Sequence, residues 1–221
     1  MARANPTAAP STVIAAETWS AELTPGADEV TFVQPREIVR TRNDDLSGSV
    51  VTRAGEVRWG VVPDGQAPAQ PGTVLEENDF GPGDYPMLFP SPPPDAAAEL
   101  QGYLAQTVGI TETSTTGDIF RATVDLRNEW SLNGSQTAAL LDLIATRDDV
   151  TVLGTVTDRL GRTGIALATD TRFDGAFRDI LIFDPDTANL LAAEDVYLGG
   201  IDDIQLEAPS VLNYTAWKDT P

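Results

Sequence analysis

The last third of the chain, from Asp149 to about Lys218, alternates strand-like runs with turn residues, and no other feature constrains the fold as strongly. Val150 to Thr157 leads into a turn at Asp158 to Gly161, followed by Gly164 to Ala168. A second turn at Asp174-Gly175 precedes Ile180 to Phe183, and Asp184-Pro185-Asp186-Thr187 separates that run from Leu190 to Val196. β-Branched and aromatic residues fill the runs while Gly, Pro and Asp gather between them, which is the pattern of an antiparallel meander. Gly199-Gly200 and Asp202-Asp203 read as one more turn, and Ser210 to Trp217 as the last strand.

A sheet of this kind needs a cover for one face. Three amphipathic helices precede it. Asp95 is placed to cap the first, through Ala97, Leu100, Tyr103, Leu104 and Val108. Thr115 or Thr116 starts the second, with Ile119, Phe120, Thr123, Leu126 and Trp130 at helical spacing. Asn133 starts the third, where Gln136 completes a capping box ahead of Leu140, Leu141 and Ile144.

The first half is less regular. Residues 1–11 are small and polar with two prolines and read as a disordered start to a single α+β domain spanning 12–221. Val13, Ala16, Trp19 and Leu23 suggest a short helix capped by Ser11 or Thr12 and closed by Pro25-Gly26. Glu29 to Arg40 reads as a strand broken at Pro35, Ser49 to Thr52 as a second, and Glu56 to Val62 as a third whose better-buried face carries Val57, Trp59 and Val61. Residues 63–94 hold nine of the sixteen prolines. So many missing backbone donors predict a long irregular loop, packed across the domain through Phe80, Tyr85, Met87, Leu88 and Phe89. Its end, Phe89 to Pro94, reads as a stiff spacer into the next helix, with recognition through Pro90 and Pro93 the lesser reading.

Composition removes most chemistries. The chain has no histidine and no cysteine. It therefore has no Ser-His-Asp or Cys-His nucleophile, no His-ligated zinc and no thiolate cluster. A formal charge of −20 repels nucleic-acid phosphate and anionic membrane surfaces. No cofactor is expected, no residue stands out as catalytic, cofactor-binding or metal-ligating, and a monomer is expected. Thirteen arginines against the single Lys218 fit translation from a GC-rich genome, since arginine has GC-rich codons and lysine does not.

The adjacent acids Asp44-Asp45, Glu76-Glu77, Asp148-Asp149 and Asp202-Asp203 read as solvated turn residues, because neighbours point in different directions and do not flank a bond. Asp184 to Asn189 departs from the EF-hand pattern and reads as a type I turn with Pro185 second. Trp19, Trp59, Trp130 and Trp217 read as core residues rather than a ligand groove.

Pro94-Asp-Ala-Ala-Ala-Glu-Leu100, Thr137 to Ala145, Asp149-Val-Thr-Val152, Asp158 to Ala166, and Ile180 to Thr187 followed by Leu190-Leu191 together carry a resemblance. From about Asp95 onward the chain resembles an uncharacterised family of actinobacterial cell-envelope proteins, most specifically in pairing the Gly161-Arg162 turn with the Phe183-Asp-Pro185 turn. Where that family has glycine after the turn threonine this chain has Ala188, and Asn189 is the residue expected to take over a left-handed position. The resemblance implies an extracytoplasmic domain, anchored to the cell membrane by a helix upstream of this sequence, and carries over no catalytic residue. The fold is also similar to the half-barrels of lipoprotein carriers and envelope-stress regulators.

The expectation is therefore an α+β fold: a curved antiparallel sheet packed on three to four helices, with a long Pro/Gly-rich loop. Its expected role is non-enzymatic binding of a hydrophobic small molecule or another envelope protein. A carboxylate-dependent hydrolase of envelope polysaccharide and a structural spacer are the alternatives. Any site is expected between the sheet and the proline-rich loop.

Overall fold

The computed structural model describes residues 13–21, 32–60, 62, 67–202 and 206–218. In chain order the elements are β1 Val13–Ser20, β2 Phe32–Val33, β3 Arg36–Arg42, β4 Gly48–Ala54, β5 Trp59–Gly60 and β6 Val74–Phe80. The helices α1 Ala97–Val108, α2 Thr116–Arg127 and α3 Gly134–Ala145 follow. The chain then runs through β7 Thr151–Thr157, β8 Thr163–Arg172, β9 Phe177–Phe183, β10 Leu190–Tyr197 and β11 Ser210–Lys218. Nine strands form one open, curved antiparallel sheet in the order β6-β4-β3-β1-β11-β10-β9-β8-β7. The fold is α+β, with three helices covering the sheet.

The meander β7 to β11 forms as the turn chemistry predicts. Gly161 supplies a positive φ of 84° between β7 and β8, and the Asp158 carboxylate accepts from the Leu160 and Arg162 backbone N–H groups to close that turn. The Gly161-Arg162 and Asp184-Pro185 turns lie at the same end of the sheet, where the Thr187 N–H and, behind it, Arg162 hold the Asp184 carboxyl below its ordinary range. The left-handed residue of the second turn is Ala188 itself, at φ 60°, so Asn189 does not take over the role. The Asp184 side chain bonds the Asp186 and Thr187 N–H groups, and the Ala188 N–H closes onto the Asp184 carbonyl at 2.9 Å, a wider loop than a simple type I turn.

The expected capping box of Asn133 with Gln136 is present, and Thr115, one of the two expected starts of α2, forms a second box with Asp118. α1 differs: Ala96 occupies the cap position without a side-chain bond, one residue past Asp95. Ile119, Phe120, Leu126, Leu140 and Ile144 of α2 and α3 pack with Leu100 and Leu104 of α1 onto Ile14, Leu181, Phe183 and Trp217 of the sheet.

Residues 13–20, read as helical from their spacing, form a central strand instead. β1 pairs with β11 on one side and β3 on the other. Ile14 and Ala16 face the helices while Glu17 and Trp19 face the opposite side. A strand covered on both faces loses its period-2 signal, and Val13, Ile14 and Thr18 are β-formers that tertiary pairing recruits. The proposed cap and stop residues of that helix, and the disordered start at 1–11, lie outside the described residues.

The proline-rich segment also holds a strand that its composition hid. Residues 72–81 contain no proline, and within that window β6 pairs with β4 at the sheet edge. Its Glu76, Glu77 and Asp79 charge an edge that would otherwise invite pairing with another chain. Beyond it the chain straps across the helices as expected. Phe89 is fully buried, the Leu88 and Phe89 N–H groups both donate to the Glu129 carboxylate, and the Trp130 indole donates to the Phe89 carbonyl. Leu88, expected as an anchor, is largely exposed. Gln136 and Tyr103 take the Pro93 and Ser91 carbonyls, which ties down the spacer.

Of the strand expected over 56–62, the described residues show Trp59–Gly60, paired with Phe32–Val33. β2 runs into β3 at Pro35 and β4 runs toward β5 at Gly55, so one long two-stranded ribbon bends at that corner. A Cβ on Gly55 would lie 2.9 Å from the Pro35 carbonyl oxygen, which makes glycine the residue that permits the bend. Past the corner the short ribbon β2–β5 leaves the sheet and lies over the face opposite the helices.

Candidate functional site

The adjacent acids do not assemble a site. Asp45 accepts from the Ser47 hydroxyl and N–H, which hold its carboxyl below the ordinary range. Glu76 and Glu77 sit on the exposed edge β6, Asp149 accepts from the Thr116 hydroxyl, and Asp203 lies outside the described residues. Among the described residues no group of three or more His, Cys, Asp or Glu side chains could hold a metal ion.

A different acid pair converges on the helix side. Asp179 on β9 and Asp195 on β10 are cross-strand partners, and Arg172 at the end of β8 bridges both, at 2.7 and 3.2 Å. Asp179 is 2% exposed, and burial followed by its neighbour Asp195 pushes its carboxyl up to about 7 against the pull of Arg172. The α2 N-terminus seals it: a Cβ on Gly117 would meet an Asp179 carboxylate oxygen at 2.7 Å. The Gly117 N–H donates to Thr171, fixing the helix start over the acid. This arrangement docks a helix on a sheet and leaves no room for a substrate bond between the two acids.

Beneath the strap, where a site was expected, described side chains pack on one another. Arg42 stacks 4.2 Å over the Trp130 ring and donates to the Glu129 carbonyl and the Met87 sulfur. Burial lowers the Arg40 pKa there and raises that of Tyr85.

The opposite face carries a cavity of about 160 Å³, lined by Trp19, Val33, Trp59, Arg159, Val211 and Tyr214. Its floor is a cross-strand row: Trp19 on β1 faces Tyr214 on β11, which faces Glu194 on β10. The ribbon supplies the wall, with Val33 and Trp59 paired across it. The Trp59 and Tyr214 rings stand at 90° with centroids 6.2 Å apart. Arg159, from the turn after β7, lies over both rings, at 5.4 and 6.0 Å from their centroids.

Ion pairs at the rim set this geometry. Glu17, 2% exposed, accepts the Tyr214 hydroxyl at 2.8 Å and the Arg58 guanidinium at 2.6 Å. Arg58 also donates to the Arg159 carbonyl, which joins ribbon, sheet and turn. Arg159 holds Glu194 through two bonds of 2.7 and 3.0 Å. Burial and the bond to Glu17 raise the Tyr214 pKa well above the tyrosine range.

Of the four tryptophans read as core, Trp130 and Trp217 are buried among the helices, whereas Trp19 is half-buried and Trp59 is 41% exposed. Sequence reasoning missed this cavity because its lining comes from five separated segments. The only local hints were the Pro35 break and the Ala54-Gly55 break, which together make the corner. Comparison with family models, curated proteins and solved structures finds no match.

Proposed function

We propose that the chain is a non-enzymatic binding domain and that its site is the aromatic cavity between the ribbon β2–β5 and the outer face of the sheet. The carrying observation is the box of Trp19, Trp59 and Tyr214, with Trp59 left 41% exposed by a protein that buries Trp130 and Trp217 almost fully. A concave apolar pocket with a few fixed polar groups is the usual form of a ligand site. On the helix-covered face Trp217, Leu181 and Phe183 are buried in the main core, and this weighs against a lipid-type ligand there. The family resemblance supplies the rest of the proposal: a domain outside the cell membrane, carried by an upstream anchor.

The four indole N–H signals test it. Trp19 and Trp59 report on the cavity, and Trp130 and Trp217 serve as internal controls. A fragment library screened by ¹H–¹⁵N NMR is expected to shift the first pair and leave the second in place. Shifts confined to Trp130 and Trp217 would move the site elsewhere and overturn the reading.

The hydrolase alternative is the weaker reading, because Asp179, whose carboxyl is raised beside Asp195, is 2% exposed beneath the α2 N-terminus. Turnover of a chromogenic glycoside by the wild type, lost in Asp179→Asn, is its signature.

A further inference from the structure

We infer that the cavity accepts one uncharged aromatic ring, an inference that rests on the cavity being the binding site. Size sets the first limit. At about 160 Å³ the space falls below the several hundred Å³ that drug-sized ligands occupy, and close to the roughly 150 Å³ that holds a benzene. The rest of an acyl chain or of a multi-ring molecule would have to extend out of the cavity into solvent.

Hydrogen-bond bookkeeping sets the second limit. The Tyr214 hydroxyl is committed to Glu17, and the other Glu17 oxygen to Arg58. Arg159 spends Nε and one terminal nitrogen on Glu194. Each ion at the wall thus has its counter-ion within the protein. A ligand carboxylate could reach only the remaining Arg159 N–H groups, whose charge Glu194 already balances, and it would lie near the Glu194 and Glu17 carboxylates, so its desolvation costs more than the contact returns. A ligand cation would sit beside Arg159, whose like charge over one face of each of Trp59 and Tyr214 repels it. A polyol would leave most of its hydroxyls unpaired against Val33, Val211 and Trp19.

Geometry sets the third limit. Two rings at right angles, Trp59 and Tyr214, offer a face and an edge to a third flat ring, the arrangement that aromatic groups prefer. The ring can arrive as a free small molecule or as an aromatic side chain on a peptide. Both present the same chemistry to the box.

The test is a titration panel on the full chain. It comprises toluene and p-cresol as neutral rings, benzoate and benzylammonium as charged ones, methyl glucoside as a polyol, and N-acetyltyrosinamide as a ring on a peptide unit. The neutral rings are expected to bind at least tenfold tighter than benzoate, benzylammonium and the glucoside. Trp59→Ala is expected to weaken them at least tenfold and Trp59→Phe to restore most of the loss. Binding of N-acetyltyrosinamide tighter than p-cresol assigns the ring to a peptide, and weaker binding assigns it to a free molecule. Benzoate, benzylammonium or glucoside binding as well as toluene, with Trp19 and Trp59 still responding, would overturn the ligand class while leaving the site in place. Failure of every member to perturb Trp19 or Trp59 would overturn the site itself.

Discussion

Trp59 and Tyr214, 155 positions apart in the sequence, meet edge to face at 6.2 Å because Arg58, the residue beside Trp59, and Tyr214 bind the same buried carboxylate, Glu17. The ribbon carrying Trp59 is thereby fixed over the floor carrying Tyr214. Stability and site geometry are coupled through one acid.

That coupling can be separated by a single oxygen. Tyr214→Phe keeps the ring of the box but removes one of the two groups bonded to Glu17. A buried carboxylate that loses one donor costs about 1 to 3 kcal/mol, so urea unfolding should show a loss in that range. Toluene binding should survive in the folded protein, because the face and edge of the ring remain.

The helix-side pair gives a pH signature. Asp179 titrates near 7 in the folded chain and near 4 when unfolded, so between those values the native state holds the extra proton. Its contribution to stability is complete below pH ~4 and is lost as the pH rises through 7. Asp179→Asn should flatten the fall of stability over this window by up to about 1.4 kcal/mol per pH unit. Chemical denaturation at half-unit steps from pH 4 to 8 measures it. An unchanged slope would mean that Arg172 keeps Asp179 ionised throughout.

Ala188 carries a left-handed backbone, φ 60°, that costs an L-residue about 1 to 2 kcal/mol. Glycine relieves that strain and loses part of the gain to its freer unfolded chain. Ala188→Gly is expected to stabilise the protein by about 0.5 to 1 kcal/mol in thermal unfolding, with the cavity untouched.

The parts of the fold legible in the sequence are those with local causes. Asp158 and Gly161, or Asn133 and Gln136, act within a few residues, so the β7–β8 turn and the α3 capping box could be read directly. β1 was not legible, because Ile14 and Glu17 are buried on opposite faces only once β11 and β3 flank them. β6 was masked by the prolines around it, although its own stretch lacks one.

The site was less legible still. Trp19 and Trp59 looked like any other apolar residues at periodic positions, and their cavity exists only because the ribbon folds back at Pro35 and Gly55. Asp179 and Asp195 were likewise invisible as a pair: fifteen intervening residues and a hairpin separate them, and strand register brings them side by side.

The most direct measurement is a crystal structure of the protein soaked in p-cresol. Ring density between Trp19, Trp59 and Tyr214, with Arg159 still paired to Glu194, is the predicted result. Density lodged among the helices or beneath the strap at Phe89, with the aromatic box empty, would contradict the assignment of the outer face as the binding site.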